Sequence, residues 1–308
     1  MRMMDAEEVA RRLPYERLVP ALHDAFADGA EVPVRHRHAV GGPDGDASLL
    51  LMPVWRTNEY LVVKLVTVFP ANRERGMPGL SSVLVLFRAD TGEQLALLDG
   101  SEITRRRTVG ASALAARFLA RPDAERLLVA GTGHIGGAIP AAYRAVRPIS
   151  RVDVWNRTPE SADRLVASLR EDGLDAHRVD ELAGAVAEAD IVSCATMART
   201  PILRGEWLRP GTHVDLIGSF KPTMRESDDE VLARASVFVD GPTALDEAGD
   251  LATPLAEGRL RRDDVRATLT QLCRGEHAGR ESAEEITLFK SVGTAVEDLA
   301  AAVLAYRS

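Results

Sequence analysis

The chain has 308 residues, 45% hydrophobic, 27% charged and 5% aromatic, with a formal net charge of −8. That length suffices for one large domain or two ordinary ones, and the acidic balance without a basic run argues against a nucleic-acid partner. No apolar stretch approaches the about 20 residues of a membrane span, and two cysteines are too few for a disulfide framework or a metal cage.

Residues 5–29 carry charged and apolar positions at helical spacing and stop at Gly29, which predicts one helix. After Pro33 the pieces Ala47–Val54, Glu59–Phe69, Ser81–Arg88 and Glu93–Leu98 read as strands, with turns at Gly42-Pro-Asp-Gly45 and Asp90-Thr-Gly-Glu93. A helix is expected over 101–120 with Ser101 as its N-cap. From 126 to about 240, apolar strands at 126–131, 151–155, 190–194, 212–217 and 235–240 alternate with helical stretches at 134–147, 159–171 and 180–187. Such alternation predicts an α/β domain with a parallel sheet covered by helices. Pro140 breaks the pattern, because beyond the first turn of a helix over 134–147 it would kink that helix. The last segment begins extended at Ile286 and becomes a helix that is apolar around most of its circumference. That helix must be buried, and it is expected to return to the N-terminal part of the chain.

The strand at 126–131 runs into Gly131-Thr132-Gly133-His134-Ile135-Gly136, the spacing of a dinucleotide-binding turn whose backbone N–H groups cradle a pyrophosphate. Twenty residues past Gly136, the next strand ends in Asn156-Arg157-Thr158, where an NAD site places a carboxylate on the ribose 2′-hydroxyl. An amide, a guanidinium and a hydroxyl suit a 2′-phosphate instead, so NADP(H) is the expected cofactor. Thr196 follows the strand at 190–194 and would line the same crevice. Of 38 basic residues only Lys64, Lys221 and Lys290 are lysines. Because an ammonium can release a proton and a guanidinium cannot, these three are candidates for chemistry.

Taken together, the segments Leu51-Met-Pro53, Val63–Asn72, Arg107-Thr-Val-Gly-Ala-Ser-Ala113, Gly131-Thr-Gly133, Asp190-Ile-Val192 and Phe289–Asp298 resemble the ornithine cyclodeaminase/mu-crystallin family, in family order along nearly the whole chain. The resemblance implies a Rossmann-type NADP(H)-binding domain over 119–283. It also implies a discontinuous α+β domain over 1–118 and 284–308 that binds substrate and forms a homodimer. Activities implied are cyclodeamination of ornithine, alanine dehydrogenation and reduction of cyclic ketimines. Arg35, Lys64 and Arg107 correspond to the family's substrate-carboxylate contacts, and their residue types suit an anion held by forked guanidinium groups and a point charge. For Lys64 the alternative is a strand lysine reaching water; for Arg35 and Arg107 it is surface charge, since Arg37, Arg105 and Arg106 lie beside them. Ser291, Val292 and Gly293 match a segment near the nicotinamide, and a tight turn that needs Gly293 accounts for them equally well.

Two departures from the family pattern bear on the substrate. Cyclodeaminases carry an aspartate where this chain has Phe220, and a glutamate for ornithine's distal ammonium where it has Leu50. A leucine facing a buried ammonium leaves that charge unpaired. Asp228, further along, reads as part of a solvated charged helix over 226–230. The expectation is therefore a cytoplasmic, NADPH-dependent reductase of a small cyclic imino acid, Δ1-pyrroline-2-carboxylate or Δ1-piperideine-2-carboxylate. Phe220 would form an apolar wall, and the proton would come with the substrate as iminium, from Lys64 or from Ser219. An alanine-type dehydrogenase or a cyclodeaminase is the alternative enzyme, and a coenzyme-holding protein without turnover the alternative of another class.

Overall fold

The structure, a computed structural model, describes residues 1–41 and 47–308; the turn expected at Gly42-Pro-Asp-Gly45 lies outside them. The opening elements are β1 (Arg2–Met4), α1 (Ala6–Arg12), α2 (Tyr15–Asp28), β2 (His36–Gly41), β3 (Ala47–Arg56), β4 (Tyr60–Val68), β5 (Leu80–Arg88), β6 (Gln94–Asp99) and α3 (Gly100–Leu119). The single helix expected over 5–29 is two helices. Pro14, extended at φ −61° and ψ 142°, separates them, because proline has no N–H to continue α1 and suits the start of α2. Gly29 ends α2 at φ 79°, donating its N–H to Ala25 O at 3.0 Å. At the start of α3 the cap is Asp99 rather than Ser101: the Asp99 carboxylate accepts the Glu102 N–H at 2.7 Å, and Ser101 lies within the first turn.

Continuing along the chain are β7 (Arg126–Ala130), α4 (Ile139–Arg144), β8 (Arg151–Trp155), α5 (Pro159–Glu171), β9 (Asp175–Arg178), α6 (Leu182–Glu188), β10 (Ile191–Cys194) and β11 (His213–Leu216). Then follow α7 (Asp229–Arg234), β12 (Ala235–Val239), α8 (Ala244–Glu247), α9 (Gly249–Ala256), β13 (Val265–Thr268), α10 (Leu269–Cys273), β14 (Ile286–Lys290) and α11 (Ala295–Arg307). Pro140 causes no kink. A 3-10 turn over Gly136–Ala138 follows the glycine segment, and α4 starts at Ile139, so the proline occupies an N-terminal position where no intrahelical N–H bond is due.

The chain forms two compact units, Met1–Thr108 with Thr294–Ser308, and Val109–Gly293. The second unit is built on an eight-stranded parallel sheet in the order β13-β12-β14-β11-β10-β7-β8-β9. β14, expected with the substrate domain, inserts here between β11 and β12, so the boundary lies after Gly293 rather than at 284. All five of its residues are buried, which explains why it reads as one apolar run.

The first unit holds a six-stranded sheet in the order β1-β6-β5-β4-β3-β2, antiparallel except where β1 joins β6. β1 and β2 escape sequence analysis because one is three residues long and the other is exposed throughout, with no apolar alternation. Helix α11 packs on α2 and on β3, β4 and β5. The strand face that includes Val62, Lys64, Val66, Leu84 and Leu86 is buried. The alternate positions Val63, Leu65, Val83 and Val85 are half-buried, which leaves an apolar face only partly covered.

Candidate active site

The glycine turn stands where the order of the parallel sheet reverses: β7 has β8 on one side and β10 on the other, so the chain leaves β7 at the switch point of the fold. Gly131 adopts φ +106°, and a Cβ there would sit 2.6 Å from Ala195 O. A Cβ on Gly136 would sit 2.0 Å from Gly131 O. Both positions exclude any side chain, whereas a Cβ on Gly133 meets nothing within 4 Å. That open side is the room a pyrophosphate needs against backbone N–H groups. Thr132 and Ile135 are half-buried, and His134 is exposed. At the neighbouring strand end, Arg157 and Thr158 are exposed and the Asn156 amide donates to Thr158 O at 3.1 Å. Thr196 follows β10 at the same edge of the sheet. The residues present therefore fit a dinucleotide.

In the first unit, Lys64 lies in the middle of β4, paired with Met52 and Leu84, and is 4% exposed. It does not reach water. Its ammonium donates to Thr104 Oγ1 at 2.7 Å and to Asp298 Oδ1 at 3.1 Å. Arg107, 9% exposed, donates through Nε to the same Asp298 oxygen at 3.2 Å and through Nη1 to Glu297 Oε2 at 2.6 Å. Two cations from β4 and α3 are thus matched by two carboxylates in the first turn of α11. Burial lowers the Lys64 pKa from its ordinary value; Asp298 opposes that shift and Arg107 adds to it. The neighbouring arginines differ in role: Arg105 and Arg106 both pair with Glu102 on the helix itself.

Other expected site residues are more dispersed. Arg35 is exposed in the segment before β2. Leu50 is half-buried on β3 opposite Val66. Phe220 is 45% exposed, with Lys221 Nζ 5.8 Å from its ring centre. Ser219 is fully buried and donates to Met224 O at 2.6 Å, so its hydroxyl proton is already engaged. Gly293 has φ +86°, and its N–H, with that of Val292, donates to Asp240 Oδ2. Ser291 is buried beside them.

The charged helix expected over 226–230 is a correction. Glu226 is fully buried in the loop before α7, and Asp228 is that helix's N-cap, accepting from Val231 N at 3.1 Å and Gly205 N at 3.0 Å. Sequence reasoning also missed Thr104, Glu297 and Asp298 as partners of the cations. The one available signal was a Glu-Asp pair opening an otherwise apolar helix.

The chain is similar to several known proteins along its whole length. The chain is 36% identical over 308 residues to a Δ1-pyrroline-2-carboxylate reductase from Colwellia psychrerythraea, covering 98% of this chain and 97% of that one. The structure of the Thermococcus litoralis Δ1-pyrroline-2-carboxylate reductase in complex with NADH and L-proline is similar, with a TM-score of 0.92 and 32% identity, covering 100% of this chain and 97% of that one. An archaeal alanine dehydrogenase dimer with bound NAD gives a TM-score of 0.90 at 28% identity, covering 100% and 95%. A family match extends over residues 1–308, and the chain belongs to the ornithine cyclodeaminase/mu-crystallin family.

Proposed function

We propose that this protein is a nicotinamide-dependent oxidoreductase acting on a C=N bond. It reduces a cyclic imino acid, Δ1-pyrroline-2-carboxylate or Δ1-piperideine-2-carboxylate, to the saturated amino acid with NADPH. The observation that carries this reading is the convergence of Lys64 and Arg107 on one oxygen of Asp298. Two buried cations already balanced by Asp298 and Glu297 hold an electrostatically neutral seat, and the ammonium has three N–H groups. The ammonium donates to Thr104 Oγ1 and to both oxygens of Asp298, the longer bond to Oδ2 at 3.4 Å being the one a ligand carboxylate would displace.

Anchoring the substrate carboxylate fixes the adjacent imine carbon, and hydride transfer depends chiefly on such positioning. The coenzyme supplies the hydride. Thr132, Gly133, His134 and Ile135 hold its pyrophosphate, while Thr196, Ser291 and Gly293 line its nicotinamide end. Lys64, its pKa lowered by burial, would give a proton to the imine nitrogen unless the substrate enters as iminium. Arg35 closes over the carboxylate and Phe220 supplies an apolar wall.

For NADP(H), the support is the end of β8: it offers exposed Arg157 and Thr158 and no carboxylate for a ribose 2′-hydroxyl. Leu50 and Phe220 disfavour ornithine as substrate, whereas the likeness to an alanine dehydrogenase keeps amino-acid oxidation as the second reading. We place the enzyme in the cytoplasm, where its two free cysteines stay reduced. It works as a homodimer in which a second copy covers the apolar face formed by Leu51, Pro53, Val63, Leu65, Val83 and Val85. The direct test is NADPH oxidation with both cyclic imines, run beside NADP reduction with ornithine, lysine, proline and alanine. Imine reduction faster than every amino-acid oxidation is expected. Faster oxidation of alanine, or of ornithine with ammonia release, would overturn the assignment.

A further inference from the structure

Beneath the rim of the parallel sheet lies a buried charged cluster that the reaction does not require. Glu226, 0% exposed, receives three donors: Thr196 N at 2.6 Å and Thr196 Oγ1 at 2.8 Å on Oε1, and Gly218 N at 2.7 Å on Oε2. Thr196 follows β10 and Gly218 follows β11, neighbouring strands in the sheet. A Cβ on Gly218 would lie 1.9 Å from Thr196 O and 2.5 Å from Glu226 Oε1, so the two turns and the carboxylate are packed to contact. Glu226 is itself held: its N–H and that of Ser227 donate to Asp250 Oδ1 at 2.8 and 2.9 Å. Lys290 Nζ, fully buried at the end of β14, donates to Leu216 O at 2.8 Å and stands 3.9 Å from Asp250 Oδ2.

We propose that Glu226 is a positioning residue for coenzyme binding: its ionised carboxylate latches the turn after β10 to the turn after β11, and protonation opens that latch. The inference rests on the reading that a nicotinamide coenzyme lies along this rim, where Thr196 is one of its contacts. The chemistry follows from the donors. Two of the three groups aimed at Glu226 are backbone N–H groups, which accept nothing, so a proton on Oε2 would face the Gly218 N–H and a proton on Oε1 would have to turn the Thr196 hydroxyl round, breaking its bond to the carboxylate. Burial raises the Glu226 pKa to about 7; Lys290 pulls it down and Asp250 pushes it up. The other charged and titratable groups around this cluster are the Cys194 thiol on β10, Asp215 on β11, which acts on that thiol, and Asp240 after β12, which Lys290 faces. The titration therefore falls inside the working range of an ordinary enzyme.

Two consequences have opposite signs. Coenzyme affinity falls as pH drops through about 7, because the latch opens. The contribution of Glu226 to folding stability does the reverse: an acid whose pKa is raised by folding contributes stability below its unfolded value of 4.5 and loses it as pH rises through about 7. A group that merely supported the fold would move stability and affinity together.

The experiment is a fluorescence titration of reduced coenzyme without substrate, using NADH beside NADPH because only NADPH has a 2′-phosphate that titrates near this range. For the wild-type protein the NADH dissociation constant should rise about tenfold from about pH 8 to about pH 6. In Glu226→Gln the amide nitrogen must face either Gly218 N–H or the Thr196 donors, so binding is weaker at high pH and the inflection disappears. Thr196→Val removes one hydrogen bond to the carboxylate and should move the inflection to higher pH, which tests the latch should the glutamine variant fail to fold. Wild-type binding of NADH independent of pH, or an inflection retained in Glu226→Gln, overturns the proposal. Binding of neither coenzyme at any pH would instead remove the functional reading beneath it.

Discussion

Replacing Lys64 by methionine tests the carboxylate seat directly, because methionine keeps the length and apolar bulk of the side chain and removes only its charge and donors. The cluster now holds Lys64 and Arg107 against Glu297 and Asp298, two charges of each sign. In Lys64→Met one guanidinium faces two carboxylates, and an incoming substrate carboxylate meets a net negative site. Loss of a hydrogen bond to a charged group costs about 1.5–3 kcal/mol. At about 1.4 kcal/mol per factor of ten, kcat/KM for the cyclic imine should fall roughly 10- to 150-fold, mainly through KM. Asp298 keeps its bond from Arg107 Nε, so the stability loss should stay at or below the ~3 kcal/mol lower end for a broken buried pair. Steady-state NADPH oxidation across imine concentrations is the assay, with circular dichroism as the check on folding. The pH profile adds a second readout. Since the Lys64 pKa lies below its ordinary 10.5, raising the pH removes the ammonium early and KM should climb on the alkaline side. Lys64→Arg should lose that limb, because a guanidinium does not deprotonate. A folded Lys64→Met protein with kcat/KM within about threefold of wild type would refute the placement of Lys64 on the substrate.

Two further expectations concern the coenzyme and the assembly. Arg157→Ala should raise the Michaelis constant for NADPH by about tenfold or more and leave that for NADH nearly unchanged, since only NADPH presents a 2′-phosphate to the end of β8; equal effects on both would contradict that assignment. Val85→Asp puts a charge on the half-buried face of the first unit's sheet, opposite Val63, and should shift the protein from dimer to monomer in analytical ultracentrifugation. A wild-type protein that sediments as a monomer would remove the dimer from the proposal.

Much of the parallel sheet was legible because buried parallel strands read as apolar runs, and β7, β8, β10, β11 and β12 each match an expected segment to within a residue or two. The Gly131–Gly136 turn was legible for a stricter reason: backbone oxygens occupy the space a Cβ would need at both glycines. Pro140 looked anomalous only while the helix was drawn from His134; once the 3-10 turn is recognised, its place at the head of α4 is ordinary. Strands such as β9 and β13 carry too few apolar residues to stand out from their surroundings.

Sequence alone pointed to a dinucleotide coenzyme, because the glycine spacing after an apolar strand is a local fact. The pairing of charges was decided by tertiary structure. Lys64 and Asp298 stand 234 positions apart, and Thr196 meets Glu226 across 30. Whether a carboxylate in a charged stretch is solvated or buried depends on what the rest of the chain packs against it. For Glu226 that difference separates an unremarkable surface acid from a titrating latch, and no local pattern records it.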